Sequence, residues 1–435
     1  MTDLDTPVAP APSALRRAAP ALLGYAAVRA LGLIVLAVWS TARDKSAHTL
    51  LTARWDSLWY TRVAELGYGY EVRLPNGDVH SNLAFFPLLP WLERGLHAVS
   101  PLSYADAGLV VSLLASLAAA WGVFAVADHV YGPRAGVCAV LLWAVLPVGI
   151  VQSMAYSESL FTALAAWSLY AVLTGRWITA GTLAALAGLT RPVGLAVVAA
   201  VWAAGIVSFV RESRESRESR ESGQPTESRR PAEGSGARGS SFAWPRSGAA
   251  RPRARDASHA PAPVPADGAP GWRRALGLLL APLGAAGYVL WVGRRTGKGP
   301  LGYLDVQAGW RNGFDGGYAF ARFVAEKFTS VPGAFAGLAL IAGVALVIRL
   351  YVVGVRQGQP LPLLVYTGVV TALALCASSY FGSKPRLLMP AFPLLLPLAL
   401  ALARARPRRS AAVLAAVAAA SAVYGAFWLN GSGPP

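Results

Sequence analysis

Residues 106–127 read DAGLVVSLLASLAAAWGVFAVA, one charge followed by an unbroken apolar run. A helix crossing a bilayer needs about 20 apolar residues, and this run supplies them. Working outward, ten more apolar segments lie at 21–41, 136–151, 154–173, 177–190, 193–210, 274–293, 332–353, 361–380, 387–403 and 411–429. The whole chain of 435 residues is 55% hydrophobic and 14% charged, against about 25% charged in a soluble domain. That excludes an ordinary soluble enzyme, a disordered chain and a disulfide-stapled one. The expected fold is an all-α polytopic membrane protein with about 11 transmembrane helices.

Lys and Arg outnumber Asp and Glu 39 to 22, but the charges sit mostly at the ends of apolar segments. There they orient the chain and meet anionic headgroups, so no nucleic-acid partner is implied. With Arg16 and Arg17 placed in the cytoplasm, Arg134, Arg176, Arg349, Arg356 and Arg404 to Arg409 fall on the same side, as the positive-inside bias requires. Residues 1–20 then form a cytoplasmic tail, and 21–41 acts as a signal anchor rather than a cleaved leader. Residues 211–273 open with four Arg-Glu-Ser triplets and continue rich in Gly, Ser, Pro and Arg. They read as a disordered basic cytoplasmic linker between a block at 21–210 and a second block at 274–435. Because 13 of the 39 basic residues lie in 211–274, the membrane body is poorer still in charge, and its few charges on the outer face gain weight. Cys138 and Cys376 lie inside apolar runs and show no metal spacing.

Two connections expected on the outer side are long, 42–105 and 294–331. The first holds Arg54-Trp55-Asp56-Ser57-Leu58-Trp59-Tyr60, with Asp56 and Tyr60 on one face if helical. A carboxylate near the bilayer surface, flanked by Trp and Tyr, is partly desolvated and suits a general base. The same loop holds Ala84 to Leu92, too short to span and expected as an interfacial helix or re-entrant segment. Four groups share that side: Tyr156-Ser157-Glu158-Ser159, Thr190-Arg191-Pro192, Ser383-Lys384-Pro385-Arg386, and Asp305, Arg311, Asp315 and Arg322 of the second loop. A basic trio of Arg191, Lys384 and Arg386 beside a carboxylate suits a phosphate-linked lipid. No Walker A loop, Zn ligand set or Gly-x-Ser-x-Gly elbow is present.

The ordered set Arg54-Trp55-Asp56-Ser57…Tyr60…Gly67-Tyr68, Ala84-Phe85-Phe86-Pro87-Leu88-Leu89-Pro90, Ala155-Tyr156-Ser157-Glu158-Ser159-Leu160-Phe161, Leu189-Thr190-Arg191-Pro192 and Arg386-Leu387-Leu388-Met389-Pro390-Ala391-Phe392-Pro393-Leu394 resembles the PIG-V-type mannosyltransferase family. The resemblance implies a GT-C glycosyltransferase with a large first outer loop and its site on the non-cytoplasmic face. It implies an inverting transfer of mannose from a polyprenyl or dolichyl phosphate donor, with Asp56 matching the catalytic base. Arg54, Trp55, Tyr60, Tyr156, Glu158, Arg191, Lys384 and Arg386 are then the expected substrate-binding residues. No cofactor is expected and no metal is required, since cations can meet the phosphate. Of the 39 basic residues 35 are Arg, which points to a GC-rich bacterial source and a plasma-membrane location. The acceptor would be a glycolipid, an envelope glycan or a protein. The rival is a flippase or transporter of lipid-linked sugars, which would place polar residues near mid-membrane. Here, Arg29 and Arg349 apart, the ionisable residues cluster at span ends. Cysteines placed near Ser57 and Ser383 are expected to react with an impermeant maleimide from outside, while one at Ser235 stays unlabelled. Labelling at position 235 alone would reverse the topology.

Overall fold

The computed structural model describes residues 13–222, 271–378 and 380–431. Helices occupy every apolar segment, but they differ in length in a way that shapes the site. Six are long and apolar enough to cross a membrane: Ala14–Thr41, Tyr104–Tyr131, Pro192–Arg217, Gly271–Thr296, Val331–Arg356 and Pro407–Leu429. Four are shorter: Pro133–Ala144, Ser157–Leu173, Trp177–Gly188 and Leu361–Cys376. The pair Phe381–Leu388 and Phe392–Arg404 is bent by 76°. An all-α polytopic body is therefore observed, whereas a count of eleven full spans is not established.

The helix Tyr104–Tyr131 shows why these residues pack. Ser103 caps its first turn by accepting from the Asp106 N–H, and Gly132 at φ 87° stops it before Pro133 opens the next helix. Its buried residues are mostly small, Ala107, Gly108, Ala115, Ser116, Ala119, Ala120 and Gly122 among them, with Val123, Phe124 and Val126 the larger exceptions. Lipid offers no hydrophobic drive between helices, so close approach by small residues does the packing. A Cβ on Gly122 would sit 2.9 Å from Ala166 Cβ of the helix Ser157–Leu173. The two blocks meet by the same device, since a Cβ on Gly284 would sit 1.8 Å from the Ala185 carbonyl oxygen.

The first helix starts at Ala14, inside the expected tail, and residues 1–12 lie outside the described residues. At the other boundary the helix Leu195–Ser222 runs on through the Arg-Glu-Ser triplets, where disorder from 211 was expected. Arg and Glu at i,i+4 support those turns, and Glu212 binds both Nη atoms of Arg274 at 2.5 and 2.6 Å. The rest of the expected linker, 223–270, lies outside the described residues.

The first long loop is built of helices Ala47–Thr52 and Asp56–Leu66, an antiparallel hairpin Glu71–Arg73/Val79–Ser81 with Val72 opposite His80, and the helix Leu88–Ala98. The last overlaps the end of the segment expected to be interfacial or re-entrant, with Leu89, Pro90 and Glu93 buried while Trp91 and Leu92 are exposed. Ser57 and Ser383 are buried, so their exposed neighbours Leu58 and Tyr380 are the positions for surface labelling.

Glu93 is fully buried against Gly108, and neither carboxylate oxygen has a hydrogen-bond partner. Burial pushes its carboxyl well above the usual range. The folded state therefore binds a proton that the unfolded chain releases above about pH 4.5, and stability falls as pH rises from there. Glu93→Gln is expected to raise Tm at pH 7 and to match wild type near pH 4 in paired thermal melts. Equal melts at both pH values would refute this.

Candidate functional site

Three of the shorter apolar helices give way to irregular backbone, and residues that follow each break, Glu158, Arg191 and Arg386, meet in one cluster. Pro133–Ala144 gives way to the 3-10 turn Gly149–Ser153 before Ser157 restarts a helix. Trp177–Gly188 gives way to Pro192–Gly194, and Leu361–Cys376 to Phe381–Ser383. Irregular backbone at membrane depth must find partners within the protein. Long cationic side chains supply many of them. Arg29 donates to the carbonyls of Ala144 and Gly149. Lys384 Nζ donates to those of Ala374 and Ala377, each at 2.8 Å. Arg54 donates to those of Leu429 and Gly431. Each cation sits where helix carbonyls run out, the negative end of the dipole.

Between these clamps runs a chain of charges. Arg191 pairs with Glu158 Oε1, Arg386 Nε lies 3.4 Å from the same oxygen, and Arg386 Nη1 lies 2.5 Å from Asp56 Oδ2. Asp56 opens the helix Asp56–Leu66, and the preceding Trp55 holds φ 51°. That value is uncommon for a bulky residue and marks a strained kink that sets where Asp56 sits. Ser57 Oγ supports the kink by accepting from the Arg54 N–H and donating to the Arg54 carbonyl. Glu158 stands in the first turn of Ser157–Leu173, where a carboxylate is favoured.

Hydroxyls line the chain. Tyr60 Oη and Ser157 Oγ are 2.7 Å apart, Arg191 Nη1 donates to Ser157 Oγ at 3.4 Å, and the Asp56 N–H donates to Tyr156 Oη at 3.3 Å. Arg386 lies over the Tyr156 ring, 5.2 Å from its centroid. Burial pushes the Tyr60 hydroxyl well above the ordinary tyrosine range; Arg191 opposes this and Glu158 and Asp56 add to it. Tyr60 is a neutral hydrogen-bonding group here. The side chain of Glu158 is 1% exposed and those of Arg386 and Arg191 are 9% and 13%, but Asp56 is 27% exposed. Asp56 is thus the member of the cluster that an incoming molecule can reach.

The structure brings together Asp56, Tyr60, Tyr156, Glu158, Arg191 and Arg386 of the expected site. Arg54 and Trp55 stand beside it as supports, with the Arg54 guanidinium 4.0 Å from the Trp55 ring. Lys384 is elsewhere. Its ammonium is spent on carbonyls and lies 4.9 Å from the Phe320 ring and 5.4 Å from Phe381. The expected basic trio is therefore a pair. The ionisable residues of the second loop also sit apart: Arg311 pairs with Asp78 at 2.5 Å, Lys298 with Asp305 at 3.5 Å, and Asp315 accepts from the Ala319 N–H.

Sequence reasoning missed the aromatic wall beside the cluster. Trp59 stacks on Phe85 at 5.6 Å, Trp310 of the second loop meets Trp59 edge-on at 4.9 Å, and His80 stacks on Trp310 at 4.0 Å. The signal available was Trp59 three residues after Asp56; its partner Trp310 is remote in sequence. Among the described residues no group of three or more His, Cys, Asp or Glu is placed to hold a metal ion.

This is a membrane-embedded helical protein with a buried, charge-balanced polar site at one end. Residues 37–221 match the family described as Mannosyltransferase (PIG-V), so the family resemblance read from the motifs holds over this segment. It contains Asp56, Glu158 and Arg191, while Arg386 lies beyond it. The GPI alpha-1,6-mannosyltransferase 2 proteins of Rattus norvegicus and Mus musculus are each 34% identical over 157 residues. That stretch is 33% of this chain and 29% of each relative, so under a third of their length is matched. Among solved structures, ArnT from Cupriavidus metallidurans in the apo state aligns with TM-score 0.44 and 15% identity, over 80% of this chain and 54% of that one. ArnT bound to undecaprenyl phosphate aligns with TM-score 0.48 and 14% identity, over 90% and 63%.

Lys384→Met is expected to lower Tm, since each buried carbonyl left unpaired costs about 1–3 kcal/mol. Its affinity for citronellyl phosphate, a short polyprenyl phosphate, should stay within about twofold of wild type, because the Lys384 ammonium is engaged on backbone carbonyls. Lost affinity at unchanged Tm would return Lys384 to the phosphate.

Proposed function

We propose that the chain is a membrane mannosyltransferase that takes mannose from a polyprenyl phosphate mannose donor and passes it to a glycolipid, envelope glycan or protein acceptor on the non-cytoplasmic face. The observation that carries this reading is the partly exposed carboxylate of Asp56 set against two buried arginines. Asp56 accepts the proton of an acceptor hydroxyl, whose oxygen attacks C1 of the sugar as the bond from C1 to the phosphate oxygen breaks. The leaving lipid phosphate gains charge, and Arg191 and Arg386 face it from a low-dielectric surround where such stabilisation counts most. Attack from the side opposite the leaving group inverts the sugar carbon. The matched mannosyltransferase family supports the sugar and the reaction class.

The test is transfer from polyprenyl phosphate mannose by the purified protein in lipid, with membrane extract as acceptor source. Asp56→Asn is expected to lower the rate by about 10²–10⁴-fold, the usual contribution of a general base. Equal rates would remove Asp56 from that role. No transfer from any such donor would favour the lipid-linked sugar transporter instead.

A further inference from the structure

The charges at the site sum to zero before any substrate enters. Arg191 and Arg386 face Glu158 and Asp56, two cations against two carboxylates. The nearby cations are engaged as well, Lys384 and Arg54 on carbonyl oxygens. Among the described residues of the site, a lipid phosphate finds no cation without a partner, and adding an anion to this balanced, largely buried group of four is costly. It can enter favourably only by taking the place of an anion already there.

The two carboxylates are not equally replaceable. Glu158 is 1% exposed, sits on a buried helix and touches both arginines, whose mutual repulsion it offsets. Asp56 is 27% exposed, stands on the first residue of a loop helix after a strained Trp55, and meets Arg386 through one nitrogen. A guanidinium can bind a phosphate oxygen as readily as a carboxylate.

We infer that Asp56 is a built-in stand-in for the donor phosphate: the lipid phosphate displaces it from Arg386, and the displacement frees Asp56 to act as base. This rests on the transferase reading and deepens it. Without donor, the Asp56 carboxylate is engaged by the Arg386 guanidinium and is not free to meet an acceptor hydroxyl. With donor, the phosphate neutralises Arg386, Asp56 is released into the space the acceptor hydroxyl enters, and Glu158 keeps the arginines in place. The site therefore arms its base only when the sugar to be transferred is present. Binding must be ordered, donor before acceptor.

The consequence runs against the usual expectation for a crippled enzyme, because removing the base should improve donor binding. The full chain in nanodiscs is titrated with citronellyl phosphate for wild type, Asp56→Asn, Glu158→Gln and Arg386→Gln. Asp56→Asn is expected to bind the probe at least about fivefold tighter, as a competing anion is gone. Glu158→Gln keeps Asp56 as competitor and loses the brace between the arginines, so it should bind no tighter than wild type, and Arg386→Gln should lose binding. Unchanged or weaker binding by Asp56→Asn overturns the exchange, whether or not that variant has lost transfer. Lost transfer at unchanged affinity would keep the transferase reading and discard the stand-in alone. Should Asp56→Asn not purify as a folded protein, infrared difference spectra of wild type labelled with [4-13C]aspartate decide the matter. Probe binding should shift an aspartate carboxylate band, and no shift overturns the proposal.

Discussion

The shared arginine Arg386 is the interaction on which the rest of the site depends. It joins Asp56, 330 residues earlier in the chain, to Glu158 at the start of another helix, and Arg191 closes the series. Buried charges of this kind are tolerable only when each is matched, because the cost of removing an ion from water exceeds what an imperfect partner returns. The geometry of four separate segments is therefore tied to one balance of charge.

That balance is reached because several helices stop early. If Pro133–Ala144, Trp177–Gly188 and Leu361–Cys376 each crossed as regular helices, no polar pocket would form among them. Their early ends create irregular backbone; Arg29 and Lys384 satisfy carbonyls left open by the first and the third, and Arg54 does the same at the end of Pro407–Leu429. These cations do structural duty at the places where a phosphate-binding role looks most natural from sequence. The remaining two, Arg191 and Arg386, are paired with the carboxylates of Glu158 and Asp56.

Much of the site was legible in the motifs. Arg54 to Tyr60, Tyr156 to Ser159 and Arg191 each combine an ionisable group with the end of an apolar run, and such groups are costly enough near lipid to signal a purpose. Lys384 misled for the same reason, as its position matches that pattern while its ammonium turns inward to Ala374 and Ala377. Trp310 escaped notice because an aromatic residue in a loop carries no signal until Trp59 and His80 are beside it. The helix through Arg211 to Ser222 was underestimated because composition weighs residues singly, whereas the bond from Glu212 to Arg274 needs two distant segments.

By itself the sequence determined the all-α membrane body, the positions of its apolar segments and the motifs that resemble the PIG-V-type mannosyltransferase family. These follow from local hydrophobicity and short-range spacing, which are written along the chain. Only the tertiary structure decided which cations are free to serve a ligand and which carboxylate each arginine holds. Ion pairing and carbonyl capping act over a few ångströms in space, and for Arg29, Arg54 and Arg386 they join residues more than a hundred positions apart in the chain.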